Sequence, residues 1–537
     1  MASTSDVVLA IDQGTSATKA LLVDASGAVV ASASAPLGAA HPQPGWVEQD
    51  ALEVWASVRT AVRSLGDDVL QRVVAVGLST QRESLVLWDR ASGEPLGPLL
   101  GWQDRRTAAR CAAMQATGVG PLVEEISGLP LDPMFSALKA QWLLDEYDPD
   151  RRRSTEGELC LGTIDSWLLF CLSGEHVTEI SNASRTQLLD VRRGVWDARL
   201  LELFGVPLSV LGAVTPSDGP FPAVRGFDPL PDGVPVRAVL GDSHAALYAH
   251  EGWRPGIVKA TYGTGSSVMA VSSGDATHGL CLTVAWQVGG AAPTLALEGN
   301  IRSSGRTLTW LADLFAVDTT ELLDSAGPSA EGVSIVPAFG GLGAPWWDAD
   351  AVATVSGLTL GTGRPALARA AIESVAFQVE DVVVAIEAAG TPVDTLLVDG
   401  GLSRSDTVMQ AQADVSGRTV RRADEADLSA LGAARLAGVG AGLWASPGTM
   451  WRRARQDEPN ATSSSEQPEQ PRAAGEFAPR TSAAERAAAL AGWRAALARS
   501  RSAEPAAPEA PQTHGAPEAA AANGTAPTIP LASRRLP

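Results

Sequence analysis

Two short Gly/Thr/Ser turns, each set between apolar runs, constrain this chain more than any other feature. The first is Asp12-Gln13-Gly14-Thr15-Ser16-Ala17-Thr18-Lys19, between VVLAI and ALLVD; the second is Thr261-Tyr262-Gly263-Thr264-Gly265-Ser266-Ser267, between IVKA and VMAVS. Short β-branched runs punctuated by glycine turns read as strands joined in hairpins. With Ala25-Ser26-Gly27 and AVVASA following, residues 7–35 predict an antiparallel meander whose first turn is DQGTS. Residues 51–66 then space their apolar positions three and four apart, as a helix does, and RVVAVGLST returns to a strand, which makes the first unit an α/β domain. The second turn repeats the pattern of the first, so the chain reads as two halves built on one plan, with the change of domain between Gly252 and Gly256.

The expected domains are therefore 7–252 and 253–451. Residues 452–481 are too polar and Pro/Ser/Glu-rich for a core and read as a linker. Residues 482–500 return to helical spacing after a Ser-x-x-Glu start, so a last helix is expected to dock back. From 501 to 537, Ala, Pro and Glu dominate, and a disordered tail is expected.

Charge narrows the partners. The 537 residues carry 41 Lys plus Arg against 61 Asp plus Glu, a formal charge of −20. Nucleic acid and anionic membrane are thereby disfavoured, because phosphate-rich surfaces are gripped by clustered cations. Small or neutral ligands are expected instead. Lysine occurs only at Lys19, Lys139 and Lys259. Cys111, Cys160, Cys171 and Cys281 form no C-x-x-C pair and no zinc spacing. With no signal-like start and no apolar stretch of spanning length, a reducing, cytoplasmic setting is the simplest expectation.

Several segments can carry chemistry. In the first turn a carboxylate, a glycine, hydroxyls and Lys19 would suit a phosphate cradle with Mg²⁺ held through water; an ordinary hairpin would use the same residues. The second turn is of the same kind, and two such loops in symmetric positions point to a nucleotide between domains. Val398-Asp399-Gly400-Gly401 follows a strand and precedes a helix, suiting either close approach of a base or ribose, or a tight turn. Gln81-Arg82-Glu83 ends a strand, where α/β ligand sites collect, and fits either a clamp for vicinal hydroxyls or a surface ion pair. Asp242, at another strand end, can take a proton from a hydroxyl or cap the following helix, and His244 is a rival base.

Taken together, IDQGTSATK, STQRESLVLWDRASGEPLGPLLGWQDRRT, LPLDPMFSALKAQWLLD, GTIDSWLLFCLSG, SNASRTQLLD, GDSHAAL, ATYGTGSS, GLGAPWWD, VDGGLSRSDTVMQAQAD and ALGAARLAG resemble the FGGY carbohydrate kinases, glycerol kinases above all. The resemblance runs in order from Val7 to Trp451 and resumes at FAPRTSAAERAAALAGWRAALARS. It implies a two-domain actin-like ATPase (ribonuclease H-like) fold with an interdomain cleft, substrate and catalytic base in the first domain and nucleotide on the second. It further implies ATP and Mg²⁺ as cofactors, a small polyol or sugar as substrate and a possible homo-oligomer. By position, Asp12 would be the Mg²⁺-associated carboxylate, through water, with Gly14, Thr15, Ser16 and Lys19 as the first phosphate loop and Thr264 and Gly265 as the second. Gly305, Thr309, Gly401 and Ser405 would lie on the adenosine side, Thr309 and Ser405 each standing where glycerol kinase has an amide residue, and Lys19 where it has Arg. Asp242 would be the catalytic base, with Arg82, Glu83 and Trp102 contacting the polyol.

The departures gather in that pocket: Met134 for Tyr, Ser243 for Gln and Ser267 for Phe. Lost aromatic walls and an added hydroxyl should hold a triol loosely. The expected substrate is therefore a polyol or ketose larger than glycerol, of four to six carbons, with glycerol as the alternative. An ATP-driven chaperone or filament protein would have no use for the Arg-Glu clamp, and an idle sugar sensor would be expected to have lost Asp12 or Asp242.

Overall fold

The computed structural model describes residues 6–274, 277–446 and 475–502. The expected linker, up to residue 474, and all but the first two residues of the expected tail lie outside them.

In the first lobe, β1 (Val7–Gln13), β2 (Ala17–Asp24) and β3 (Val29–Pro36) form the meander that the glycine turns dictate. Helix α1 (Ala51–Arg63) follows, capped by Asp50. Strands β4 (Val73–Thr80) and β5 (Val236–Gly241) then add in parallel beside β1, giving the order β5-β4-β1-β2-β3. Helix α2 (Asp242–Ala249) starts directly from β5. Strand β1 is buried on both faces, which is why it reads as a continuous apolar run rather than an alternating one. A smaller sheet built from Leu85–Asp89, Leu99–Leu100, Leu159–Thr163 and Glu48–Gln49 extends this lobe.

The second lobe repeats the plan. Strands β6 (Gly256–Tyr262) and β7 (Ser266–Val271) are the hairpin around the second turn; β8 (Cys281–Trp286) and β9 (Thr294–Ile301) continue the antiparallel side. Helices α3 (Gly305–Leu314) and α4 (Arg364–Ala388) precede β10 (Val393–Asp399), which with β11 (Thr419–Arg422) lies parallel beside β6. Between these strands runs α5 (Asp406–Ser416). The order β11-β10-β6-β7-β9 thus mirrors β5-β4-β1-β2-β3.

Helix α6 (Leu428–Gly440) follows β11, yet it packs on the first lobe, against β1, β4, β5 and α2. Its Ala/Gly-rich face permits backbone-to-backbone approach. A Cβ on Gly77 of β4 would lie 2.5 Å from the Ala433 carbonyl oxygen, and one on Gly432 would collide with the Ala245 carbonyl. One buried cluster consequently joins Val8, Ala75 and Leu240 of the first sheet to Met269 and Ala296 of the second through Ala430 and Ala434. This shared packing fixes the N-terminus of α2, where Asp242 sits.

Strand β12 (Glu476–Phe477) pairs with β11, and α7 (Ala483–Ser500) begins with a reciprocal Ser482–Glu485 capping box. Trp493 of α7 stacks on Phe377 of α4 at 5.3 Å and donates to Asp381 at 2.8 Å. No helix among the described residues is long and apolar enough to cross a membrane, and the four cysteines are free thiols.

Candidate active site

The two glycine turns face each other across the junction of the lobes. In the first, Gly14 N–H closes on the Ala17 carbonyl at 3.1 Å, leaving Thr15 and Ser16 at the tip. Asp12 ends β1 opposite Lys19 on β2 and beside Ser79 on β4, whose hydroxyl donates to it at 2.7 Å. Burial pushes the Asp12 carboxyl up to about 6; Ser79 pulls it back, and the like charge of Asp242 adds to the rise. Lys19, half-exposed, is tied at 2.5 Å to Asp427, which stands in the left-handed region immediately before α6.

The second turn closes through Gly263 N–H on the Gly265 carbonyl, and the backbone amides of Ser304, Gly305 and Arg306 bond to the carbonyls of Gly263 and Thr264. A Cβ on Gly305 would stand 2.7 Å from the Gly263 oxygen, and one on Gly400 (φ +91°) would collide with Tyr262. The β6–β7 turn, the start of α3 and the Gly400-Gly401 corner are therefore stacked backbone on backbone, as only glycine permits.

Between the lobes lies a cavity of about 540 Å³. Thr15, Ser16, Arg82, Glu83, Trp102, Met134, Asp242, Ser243, Thr264, Gly265 and Ser267 all line it. Asp12, Gly14 and Lys19 sit behind the first turn. Gly305, Thr309, Gly401 and Ser405 lie outside the cavity lining: Thr309 is exposed with its hydroxyl on the Gly305 carbonyl, Gly401 is exposed, and Ser405 is the N-cap of α5.

Arg82 and Glu83 are buried, 7% and 5% exposed, and take different partners, so the surface-ion-pair alternative is excluded. Arg82 donates both terminal nitrogens to Glu298 of β9 at 2.8 Å and its Nε to Asp242 at 3.0 Å. Glu83, held at φ 61°, accepts from Arg185 Nε at 2.6 Å. Arg185 also pairs with Glu298 at 3.0 Å, and Ser267 and Asn300 donate to Glu298 at 2.7 and 3.1 Å. Two guanidiniums thus hold the Glu298 carboxyl well below its usual range against the opposing effect of burial. The Ser267 hydroxyl, expected as an added group facing the substrate, is spent on this wall.

Asp242 is the first residue of α2, after Gly241 at the cap position, and its Oδ1 accepts the Ser243 amide at 2.6 Å, so it serves the helix start as well as facing the cavity. Its carboxylate remains 38% exposed to the cavity and is steadied by Arg82. His244 is buried, meets Thr283 at 3.3 Å, lies outside the cavity lining, and is pushed well below the usual imidazole range by burial and by Arg82. It is not placed as a base for this cavity. Trp102 donates Nε1 to Thr15 at 3.0 Å. The Met134 segment is pinned by Lys139, whose ammonium donates to the Met134 carbonyl at 2.6 Å and is pushed down to about 8 by burial.

Sequence reasoning missed Glu298, Arg185 and Asp427. A signal existed for Glu298: a lone carboxylate within the otherwise apolar strand TLALEGNI has to be paired once the strand is buried.

Two sheets, of five and seven strands, that share one five-strand order, joined through a helix that crosses between them and enclosing a carboxylate-lined cleft, define a two-domain actin-like ATPase fold. Residues 7–249 match the N-terminal domain and residues 258–441 the C-terminal domain of the FGGY family of carbohydrate kinases, and the chain belongs to that family. It is 43% identical over 449 residues to an apulose kinase of Pectobacterium atrosepticum, covering 82% of this chain and 90% of that protein. It is 42% identical over 471 residues to a glycerol kinase of Dechloromonas aromatica, covering 84% and 93%. Among solved structures, glycerol kinase of Plasmodium falciparum with ADP superposes with a TM-score of 0.82 at 28% identity, covering 92% of this chain and 98% of that one.

Proposed function

We propose that this enzyme transfers the γ-phosphoryl group of ATP to a primary hydroxyl of a polyol or ketose of roughly four to six carbons, with Asp242 as general base. The observation that carries the reading is the Asp242 carboxylate, open to the cavity and oriented by Arg82 between two facing hydroxyl-bearing loops. The relatives' names do not decide the acceptor, since apulose kinase and glycerol kinase match almost equally well. The pocket favours the larger one: Met134 and Ser267 replace what would be aromatic walls, and unfilled volume weakens the hold on a triol.

The ADP in the Plasmodium glycerol kinase structure supports nucleotide use. In this reading Thr15, Ser16, Thr264 and Gly265, which line the cavity, would cradle phosphates, Gly305, Thr309, Gly401 and Ser405 would lie on the adenosine side, and Lys19 would supply positive charge behind the first loop. Magnesium fits Asp12: its carboxyl is raised by burial and by Asp242, a situation that a nearby divalent cation relieves. Among the described residues no cluster of three ligating side chains exists, which suits an ion held mainly by water and phosphate rather than by a protein cage. When bound, that ion would neutralise charge on the transferring phosphoryl group. Arg82, Glu83 and Trp102 would orient the acceptor so that its hydroxyl meets Asp242, contributing on the order of 10²–10⁴-fold as base.

The test is ADP release with MgATP across glycerol, erythritol, ribitol, arabinitol, xylulose and ribulose. A longer acceptor leading glycerol by at least about tenfold in kcat/KM supports the reading, and a clear lead for glycerol sinks the larger-substrate argument.

A further inference from the structure

Beside the acceptor cavity lies a second one of about 700 Å³. The two share Trp102, Met134, Thr264, Gly265 and Arg302 in their linings, so they adjoin. Their charge balances differ. Around the acceptor cavity Glu83, Asp242 and, just behind, Glu298 are matched by Arg82, Arg302 and, behind, Arg185, so charge there balances. The vestibule is lined by Arg105, Arg302 and Arg306, and Asp132 is its one carboxylate.

That carboxylate is already taken. Arg302 donates to Asp132 at 2.6 Å and to the Gly340 carbonyl at 2.7 Å, and Asp132 also accepts from the Met134 amide at 2.9 Å. Burial lowers the proton affinity of Arg302, Asp132 opposes that, and nearby Arg105 adds to it, so two guanidiniums crowd one carboxylate. Among the described residues, neither Arg105 nor Arg306 has an acidic partner. In a chain whose formal charge is −20, unneutralised arginines gathered on one cavity call for an anionic occupant.

We propose that the vestibule takes a carboxylate at the far end of the acceptor, which makes the substrate a polyhydroxy acid, with its anionic end at Arg105 and Arg306 and its reacting primary hydroxyl at Asp242. This rests on the kinase reading above and replaces the neutral acceptor by its carboxylate-bearing counterpart. The planar, multiply donating guanidinium suits a carboxylate. The carboxylates of Glu83 and Asp242 repel a third carboxylate at the reacting centre, whose guanidiniums are already paired, and so favour phosphorylation at the other end of the molecule.

The experiment pairs each acid with its neutral counterpart, gluconate with sorbitol, ribonate with ribitol and erythronate with erythritol, in an ADP-release assay that also yields the KM for ATP. The expected wild-type ratio of kcat/KM, acid over neutral, is roughly tenfold or more for the best pair and shrinks as salt rises from about 50 to about 300 mM. In Arg105→Gln and Arg306→Gln the ratio should fall at least fivefold, and Arg306→Lys should restore part of it. Neutral acceptors preferred by the wild type, or a ratio unmoved in both Gln variants, would overturn the proposal while leaving the kinase reading intact. A raised KM for ATP with an unmoved ratio would overturn it as well, assigning the arginines to the nucleotide's phosphates. ADP release that no acceptor, acid or neutral, raises above background would instead defeat the acceptor reading, and this inference with it.

Discussion

Replacing Glu298 by Gln tests the centre of the site. The side chain is fully buried, accepts two bonds from Arg82, pairs with Arg185 at 3.0 Å and receives Ser267 and Asn300. Glutamine keeps the shape but removes the charge and one acceptor, leaving two buried guanidiniums with only Glu83 and Asp242 nearby. Breaking one side of a buried ion pair costs about 3–5 kcal/mol. If the first lobe unfolds as a unit of roughly 240 residues, its unfolding entropy near the midpoint is about 0.5 kcal/mol/K, so the melting temperature should drop by about 6–10 °C; unfolding of both lobes together would halve that. The catalytic effect should exceed the structural one. Arg82, freed from Glu298, would close on Asp242 and occupy the carboxylate oxygens that an acceptor hydroxyl needs, so kcat should fall more than KM rises. Calorimetry and steady-state kinetics on the same preparation check both. A variant that melts within about 2 °C of wild type with unchanged kcat would refute the reasoning, because it would mean that the guanidiniums do not depend on this carboxylate.

Asp242→Asn should abolish turnover while acceptor binding, followed by calorimetric titration, persists; surviving turnover would remove Asp242 from the base role. Asp12→Asn should raise the melting temperature of the nucleotide-free protein at pH 7.5. The folded carboxyl, at about 6, holds its proton more tightly than an unfolded one near 3.8, so ionisation destabilises the fold as pH rises through 6. The gain should vanish near pH 4, and a gain independent of pH would contradict it. Trp493→Ala should destabilise by about 3–5 kcal/mol through loss of the Phe377 stack and the Asp381 bond, detected as a lowered midpoint and as proteolysis near residue 483. Met134→Tyr with Ser267→Phe should shift preference toward glycerol in the acceptor panel, and no shift would mean that other residues set acceptor size.

The lobes were legible because their signals are local. Glycine turns between β-branched runs specify hairpins from a few residues, and the recurrence of that unit predicted two halves on one plan, as the five-strand order common to both sheets bears out. The site was legible in its ends and not in its wiring. Arg82 and Glu83 were nominated as neighbours, yet their partners come from Glu298, 216 residues away, and Arg185, 102 residues away. Lys19 finds Asp427 across 408 residues. No periodicity carries such pairings, since they depend on how two lobes dock. Helix α6 shows the same limit: its Ala/Gly composition is visible in the sequence, but its packing on the lobe to which the chain had not assigned it is a tertiary fact.

That docking has a chemical consequence. A guanidinium that gives both terminal nitrogens to one carboxylate is fixed in its plane, and its Nε then has a single direction left. In Arg82 that direction is toward Asp242, at 3.0 Å. The Asp242 Oδ1 also accepts the Ser243 amide of its own helix at 2.6 Å, and because Arg82 comes from the first lobe and Glu298 from the second, contact between lobes adds a second hold on the proposed base. A carboxylate so held presents its remaining oxygen lone pairs to the cavity, where an acceptor hydroxyl would need them. Any opening that pulled Glu298 away would free Arg82 to rotate and cover the base. Phosphoryl transfer would then be confined to the arrangement in which the lobes are apposed and water is excluded, which is how a kinase avoids hydrolysing ATP while its acceptor is absent.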